Sequence, residues 1–328
     1  MGTKERPRPG RRQQVVIDAL VARLLAGDKR ALTRVLSYVE NGLPEGREAM
    51  KALFGRTGHA HIVGITGPTG SGKSTLVGAL AREYRSRGRS VGIVAVDPTS
   101  PFSRGAVLGD RIRMQDLTSD PGVFIRSMAT RGALGGLAAT TNDVVTVMDA
   151  AHKDVIIVET VGAGQDEVEV ADTAHTTIVI SVPGAGDEVQ AIKAGILEIA
   201  DILVVNKSDQ PRADITAQQL HAYLNLGREE GWEVPIIKAV AIRGQGITEL
   251  ADAIDRHRGF LVSSGRLEEA RRQRARRQLL ALAQEELLSR VLATAEGNGR
   301  LEALVEAIAR RELDPHTAAE QLIEAAGG

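Results

Sequence analysis

Cysteine is absent from this 328-residue chain, and aromatic side chains make up only 2% of it. The first absence excludes disulfides and thiolate metal sites and agrees with a reducing compartment. The second leaves Val, Ile, Leu and Ala to fill the core. A charge excess is also lacking: the formal net charge of −1 gives no field that would gather nucleic acid or an anionic membrane. No apolar run approaches the roughly 20 residues that span a bilayer, so we expect a cytoplasmic protein.

The spacing of apolar residues divides the chain into three parts. Residues 13–54 show helical spacing, for example at Val16, Leu20 and Leu24. Short β-branched runs then alternate with helical stretches, and they lie at 61–66, 91–96, 123–127, 154–159, 176–182, 201–206 and 235–240. Runs that are apolar on both faces predict an α/β fold, in which helices cover both faces of a mainly parallel sheet. We expect an N-terminal helical extension at 1–54, a parallel α/β domain at 55–262 and a C-terminal helical arm at 263–328.

A complete phosphate-binding loop lies between the first of these runs and a helix. Its candidate contacts are Gly67, Gly70, Ser71, Gly72, Lys73, Ser74 and Thr75. The glycines let successive backbone N–H groups point at phosphate oxygens, and the helix adds its positive N-terminal dipole. Lys73 is expected to reach the β- and γ-phosphates, and the Ser74 hydroxyl is expected to contact Mg²⁺.

Polar residues follow the other strands at the edge of the sheet where a ligand binds. Asp97, Asp110 and Glu159 are candidate magnesium partners together with Ser74, and turn formation is the alternative for Asp97 and Asp110. Gly162 has the spacing at which a backbone N–H approaches the γ-phosphate, so 160–166 is a candidate switch. Ala163 follows where many GTPases have a water-orienting glutamine, and slow hydrolysis is expected. Gln165 is the alternative for that role, against an ordinary polar residue of the loop.

The base is predicted from Asn206, Lys207 and Asp209, which form the Asn-Lys-x-Asp pattern after a buried strand. The Asp209 carboxylate can accept from both N1–H and the 2-amino group of guanine, and adenine offers no such pair of donors. An unpaired buried carboxylate rejects the wrong base. GTP and GDP are therefore the predicted nucleotides.

Together these motifs resemble the MeaB, methylmalonic aciduria type A and ArgK family of P-loop GTPases in the SIMIBI class. The quoted segments include Leu-Gly-Asp-Arg at 108–111, Glu-Thr-Val-Gly-Ala-Gly-Gln at 159–165 and Gly-Asp-Glu-Val-Gln at 186–190. The resemblance implies a dimeric, magnesium-dependent GTPase that binds an adenosylcobalamin-dependent acyl-CoA mutase, gates cofactor loading and protects or reactivates that enzyme. It also implies that Asp97, Asp110 and Glu159 belong to the magnesium sphere and that 184–193 is an additional switch that contacts the partner enzyme. The candidate catalytic residues are Lys73, Glu159, Gly162 and Gln165.

One departure from the family pattern concerns the last base-contacting loop. Val240-Ala241 stands where the family usually has Ser-Ala, so a side-chain contact from position 240 is lost and the backbone of Ala241 remains. Two alternatives stay open: an ATPase or kinase linked to basic amino-acid transport, and a metal-insertion GTPase. Asn206 to Asp209 disfavours the first, and the absence of cysteine disfavours the second.

The C-terminal arm carries both a basic cluster and an apolar series. Arginines crowd residues 271–277, but nearby glutamates and the lack of interleaved aromatics favour a solvated or dimer-facing helix over nucleic-acid binding. Leucines between 279 and 292 suit packing on another helix. We therefore expect a homodimer that uses this arm.

Overall fold

The computed structural model describes residues 11–97, 114–129, 136–160, 166–184, 194–224, 231–297 and 299–327. The chain divides into two compact units. One is Pro9–Arg271, and the described part of the other is 272–327 without residue 298. None of the described helices is long and apolar enough to cross a membrane.

Seven parallel strands form one sheet in the described part of the first unit. They are β1 His61–Thr66, β2 Val91–Asp97, β3 Val123–Ala129, β4 Val155–Glu159, β5 Thr176–Ser181, β6 Ile202–Val205 and β7 Ile236–Lys238. Every residue of β1, β4, β5 and β6 is buried, because helices cover both faces. The predicted α/β fold with a parallel sheet is confirmed, and each predicted apolar run overlaps one strand.

The strand order is β3-β2-β4-β1-β5-β6-β7, and successive strands are added on opposite sides of β1. The chain leaves β1 toward β2 on one side and later returns to β5 on the other. Ligands of parallel α/β sheets bind at such a switch point, beyond the carboxyl ends of the strands. The topology therefore brings the residues after β1, β4 and β6 to one edge of the sheet.

Helices are described along the whole length of the chain. They are α1 Arg11–Leu25, α2 Lys29–Glu40, α3 Pro44–Leu53, α4 Lys73–Ser86, α5 Gln115–Thr118, α6 Gly136–Ala150, α7 Asp166–Thr173, α8 Ala194–Glu198, α9 Ala213–Leu224, α10 Ile247–Ser263, α11 Arg266–Gly297, α12 Arg300–Ala309 and α13 Pro315–Gly327. Short 3₁₀ turns lie at Phe54–Arg56 and Ala241–Arg243.

Alternate residues of the same strands pack into two cores. Ile93 and Ile157 face α4 and α10, where Leu80 and Ile254 are fully buried. Their neighbours on β2 and β4 face the other way, toward α6 and the three N-terminal helices. The N-terminal helices thus cover the second face over β2 and β4, whereas α8 and α9 pack on β5 and β6. Arg126 of β3 also forms an ion pair with Glu40 of α2.

The helical phase of α1 differs by one residue from the predicted spacing. Val16 is 58% exposed, so its expected place on the apolar face is wrong. Ile17 is buried instead and packs with Leu20 and Leu24. The structure therefore selects the face containing Ile17, three residues before Leu20, as expected for an amphipathic helix.

A chain of polar side chains, most of them buried, crosses the amino-terminal edge of the sheet, at the opposite end from the phosphate-binding loop. The Thr176 hydroxyl lies 2.8 Å from Nε2 of His61 and 2.9 Å from Nδ1 of His257. Nε2 of His257 lies 3.3 Å from Asp201, whose other oxygen accepts from the Thr177 N–H. These contacts join β1, β5 and α10 to the residue that precedes β6.

The second unit contains the remainder of α11 together with α12 and α13. Ala295, Leu304 and Ala318 are its buried apolar residues among those the structure describes. Five leucines on α11 are exposed by 43–68%: Leu279, Leu280, Leu282, Leu287 and Leu288. So much exposed apolar surface on one helix is typical of a protein interface.

Candidate nucleotide-binding site

The phosphate-binding loop connects the end of β1 to the start of α4. Gly67, Gly70 and Gly72 have φ values of +145°, +80° and +90°, a region that L side chains rarely adopt. A Cβ on Gly67 would lie 2.5 Å from the Ile180 carbonyl oxygen, and one on Gly72 would lie 2.5 Å from Nδ2 of Asn206. The loop therefore needs glycine both for its backbone conformation and for its close contacts.

Lys73 is buried at the first position of α4. Its Nζ donates to the carbonyl oxygens of Gly67 and Pro68 at 2.7 and 3.0 Å. Ser71, within the loop, is also buried, whereas Thr75 is exposed on α4. The ammonium group thus lies within the turn whose N–H groups can bind phosphate, where it can neutralise negative charge.

Ser74 and Glu159 meet at the same edge of the sheet. The Ser74 hydroxyl donates to Oε1 of Glu159 at 2.6 Å, and Glu159 is 5% exposed at the end of β4. The parallel register pairs Glu159 with Ile65, close to the start of the loop. A hydroxyl beside a carboxylate is a donor set that suits Mg²⁺, which prefers oxygen ligands.

The predicted base-binding loop contacts the phosphate-binding loop directly. The buried Asn206 side chain donates from Nδ2 to the Ser71 carbonyl at 2.8 Å and accepts at Oδ1 from the Ala241 N–H at 3.2 Å. Lys207 has φ +55° and donates from Nζ to the Gly70 carbonyl at 2.9 Å. Asn206 thus holds the three predicted loops together.

Asp209 lies at the outer end of this loop, with 38% of its side chain exposed. Its Oδ2 is 3.5 Å from Nη2 of Arg243. The preceding residue is fixed by a bond from the Ser208 N–H to the Ala239 carbonyl at 3.0 Å. The carboxylate is therefore accessible to a base, and a neighbouring turn places Arg243 beside it.

A family model described as "Methylmalonyl Co-A mutase-associated GTPase MeaB" matches residues 32–296. The chain belongs to the MeaB family. It is therefore a GTPase, an enzyme that hydrolyses GTP, and the resemblance inferred from the motifs is confirmed.

Three similar proteins extend this result beyond the matched segment. A Pyrococcus abyssi protein assigned to the GTPases is 48% identical over 313 residues, covering 94% of this chain and 96% of its own. The mitochondrial methylmalonic aciduria type A homolog of Mus musculus is 31% identical and covers 96% of this chain and 80% of its own. A crystal structure titled LAO/AO transport system kinase superposes with a TM-score of 0.71 at 27% identity, covering 96% of this chain and 98% of that one.

Several predicted site residues of this MeaB-family chain lie outside the described residues. They are Asp110, Gly162 and Gln165, together with the side chain of Asp97 and the segments 161–165 and 185–193. Within the described ranges, no group of three or more His, Asp or Glu side chains is arranged to hold a metal ion. Ser74 and Glu159 are the predicted metal-site residues that the structure brings together.

One contact in the site involves residues to which the sequence gave no individual role. The Thr160 hydroxyl donates to the Thr66 hydroxyl at 3.1 Å, and both residues are buried. Thr160 follows Glu159, and Thr66 precedes Gly67. The only sequence signal was their position next to these two motifs, so their mutual contact could not be predicted.

Proposed function

We propose that this GTPase is a magnesium-dependent chaperone of an adenosylcobalamin-dependent acyl-CoA mutase, whose cofactor loading it gates and which it protects or reactivates. The main support is the family model, whose description associates the family with methylmalonyl-CoA mutase. The mouse relative bears the name of methylmalonic aciduria. We further propose a cytoplasmic location.

Each part of the nucleotide would have a separate set of contacts. Phosphate oxygens would be bound by backbone groups of Gly67, Gly70, Ser71, Gly72 and Thr75. Lys73 would neutralise the β- and γ-phosphates. Asn206, Lys207, Asp209 and the backbone of Ala241 would recognise guanine. The contact between the Asn206 amide and Ser71 supports this arrangement, because it couples the base loop to the phosphate loop.

Magnesium would be held by Ser74 and Glu159, with Asp97 and Asp110 as proposed further partners. When bound, the ion would neutralise phosphate charge. The direct Ser74–Glu159 contact of 2.6 Å supports the proposal. Gly162 and Gln165 would belong to a switch that responds to the γ-phosphate. Ala163 in place of a water-orienting glutamine predicts slow intrinsic hydrolysis.

Nucleotide selectivity tests the first half of this proposal. We expect labelled GTP to be retained and hydrolysed and ATP to bind at least about tenfold more weakly, because adenine cannot satisfy Asp209. Lys73→Ala should abolish retention, whereas Lys51→Ala, at an exposed position on α3, should leave it unchanged. Equal retention of ATP and GTP would refute guanine selectivity.

Partner binding tests the second half. Purified cobalamin-dependent acyl-CoA mutase should be captured by the full chain loaded with GDP or with a non-hydrolysable GTP analogue, to different extents in the two states. The mutase should also accelerate GTP hydrolysis. Failure of the mutases for methylmalonyl-, ethylmalonyl-, isobutyryl- and hydroxyisobutyryl-CoA to bind in either state would refute the chaperone role and leave the GTPase activity intact.

An ATPase or kinase linked to basic amino-acid transport is the second candidate, because the superposed crystal structure is titled a LAO/AO transport system kinase. That function predicts ATP hydrolysis stimulated by lysine, arginine or ornithine. The selectivity assay separates the two candidates. A metal-insertion GTPase would need soft-metal ligands, and the chain contains no cysteine.

Homodimerisation through α11 is proposed from its five exposed leucines. Burial of a leucine side chain contributes about 1.5–3 kcal/mol, so pairing this surface with a second copy is favourable. Light scattering should give about twice the 34.9 kDa monomer mass. Leu280→Lys with Leu287→Lys should give monomers, whereas Gln284→Lys on the same helix should not. A monomeric mass for the unchanged chain, with and without nucleotide, would contradict dimerisation.

A further inference from the structure

The turn that follows β7 has a tightly fixed backbone. The Val240 N–H donates to the Gln245 carbonyl at 3.0 Å, and the Arg243 N–H donates to the Val240 carbonyl at 2.8 Å. Gly246 has φ +77°, and a Cβ there would overlap the Lys238 carbonyl oxygen. Side chains at 242 and 243 therefore project from a closed turn and not from a free loop.

Two hydrogen bonds attach this turn to the base-binding loop. One runs from the Ala241 N–H to Oδ1 of Asn206, and the other from the Ser208 N–H to the Ala239 carbonyl. They hold the segments that lead into Asp209 and Arg243 in a defined relation. The ion pair between those two side chains thus joins two anchored segments.

The side chain at 240 cannot support the carboxylate. Val240 is buried at 4% exposure and has no polar side-chain atom, where a serine hydroxyl could donate a hydrogen bond. Arg243, three residues later on the same turn, supplies a positive charge instead: its Nη2 lies 3.5 Å from Oδ2 of Asp209. An ion pair at this position can limit the rotation of the carboxylate.

We infer that Arg243 is a positioning residue that orients Asp209 for guanine and so contributes to base specificity, an inference that rests on the proposed role of Asp209. Guanine needs both carboxylate oxygens, one for N1–H and one for the 2-amino group. A freely rotating carboxylate loses entropy when it is fixed by the base, and an ion pair made beforehand reduces that loss. Because both side chains are partly exposed, the effect should be modest, as for other surface ion pairs.

The test measures dissociation constants of GDP and IDP for the full chain by competition with a fluorescent guanine nucleotide. IDP, which is inosine diphosphate, lacks the 2-amino group and can therefore donate one fewer hydrogen bond to Asp209. We expect Arg243→Ala to weaken the binding of GDP about three- to fivefold and the binding of IDP by about twofold or less. The turnover number at saturating GTP should stay unchanged, because Arg243 acts on the base and not on the phosphates.

A matched control separates positioning from loss of positive charge. Arg256→Ala removes an exposed arginine from α10 and should leave both dissociation constants unchanged. The positioning role is refuted if Arg243→Ala weakens the binding of GDP and IDP equally. It is also refuted if Arg243→Ala strengthens GDP binding, because the ion pair would then compete with guanine for Asp209.

A double-mutant cycle distinguishes this inference from the proposal on which it rests. In a chain that already carries Asp209→Ala, adding Arg243→Ala should not change the ratio of the dissociation constants of GDP and IDP any further. If Asp209→Ala leaves that ratio unchanged, guanine recognition by Asp209 fails. If Asp209→Ala changes the ratio and Arg243→Ala does not, only the inference about Arg243 fails.

Discussion

Replacing the buried His61 by glutamine should reduce the amount by which the free energy of unfolding of this protein falls in acid. His61 is 2% exposed, and its Nε2 lies 2.8 Å from the Thr176 hydroxyl. Burial, reinforced by the positive charges of Arg258, His257 and Arg89, lowers the pKa of His61 from 6.5 to about 3. A glutamine amide can keep a hydrogen bond to Thr176 but does not titrate in this range.

The sign and size of the effect follow from proton linkage. Below pH 6.5 the unfolded chain protonates His61 while the native state does not, so stability falls as pH drops from 6.5 toward 3. The slope approaches about 1.4 kcal/mol per pH unit, which gives a loss of about 2 kcal/mol between pH 7.5 and pH 5. Above pH 7.5 the imidazole is neutral in both states and contributes no further slope.

Two neighbouring groups also titrate, and they are retained in the variant. Burial lowers the pKa of His257 to about 4, which adds to the acid loss. Burial raises the pKa of Asp201 to about 7, which opposes the loss, because its protonated form is favoured in the native state as pH falls. The contribution of Asp201 is the smaller one, because about a third of its side chain is exposed and water screens its charge. Most of the His257 and Asp201 contributions cancel when the unfolding free energy of His61→Gln is subtracted from that of the unchanged chain at each pH.

Urea unfolding at pH 7.5, 6.5, 5.5 and 5.0 provides the measurement. The single tryptophan, Trp232, packs against His257 with tilted rings whose centroids are 4.6 Å apart, so its fluorescence reports on this region. Circular dichroism reports on the helices. The free-energy difference between the unchanged chain and His61→Gln should shift by about 2 kcal/mol from pH 7.5 to pH 5. His59→Gln, at an exposed position, is the control and should give no shift. Parallel curves for the unchanged chain and His61→Gln would refute the reasoning.

Two further predictions concern the nucleotide site. Gly72→Ala should lower GDP affinity by at least about tenfold, because φ is +90° and the added Cβ would lie 2.5 Å from Nδ2 of Asn206. In titrations with GDP, Gly88→Ala, with φ +77° but open space around it, should keep nearly full affinity, and equal losses would contradict the steric explanation. Thr160→Val should cost about 1 kcal/mol of unfolding free energy by removing the bond to Thr66. Chemical denaturation of Thr66→Val, Thr160→Val and the double variant should show non-additivity, and strictly additive losses would argue against a coupled pair.

The sheet and the phosphate-binding loop were accessible from the sequence because their signals are local. Runs such as 154–159 are apolar on both faces, which is typical of buried parallel strands, and β4 lies within that run. The loop needs glycines between a strand and a helix, and the φ values of Gly67 and Gly72 follow that requirement. Asn206 was assigned from four consecutive residues in the same way.

Contacts between distant segments were not accessible. The helical phase that buries Ile17 and exposes Val16 depends on the surface that α1 meets. Arg243 entered no motif, because its relation to Asp209 depends on two separate turns that lie side by side. The hydrogen-bonded chain at the far edge of the sheet likewise joins His61 to His257 through Thr176.

By itself, the sequence determined a parallel α/β nucleotide-binding fold and its MeaB-family resemblance, because strand periodicity, glycine conformations and short motifs are set by neighbouring residues. Only the tertiary structure decided which side chains support those motifs. Asn206 forms hydrogen bonds with Ser71 and Ala241, and Asp209 lies beside Arg243, through contacts across loops that follow different strands. Such contacts arise because parallel strands bring their carboxyl ends to one edge, and spacing along the chain does not encode which loop residues then touch.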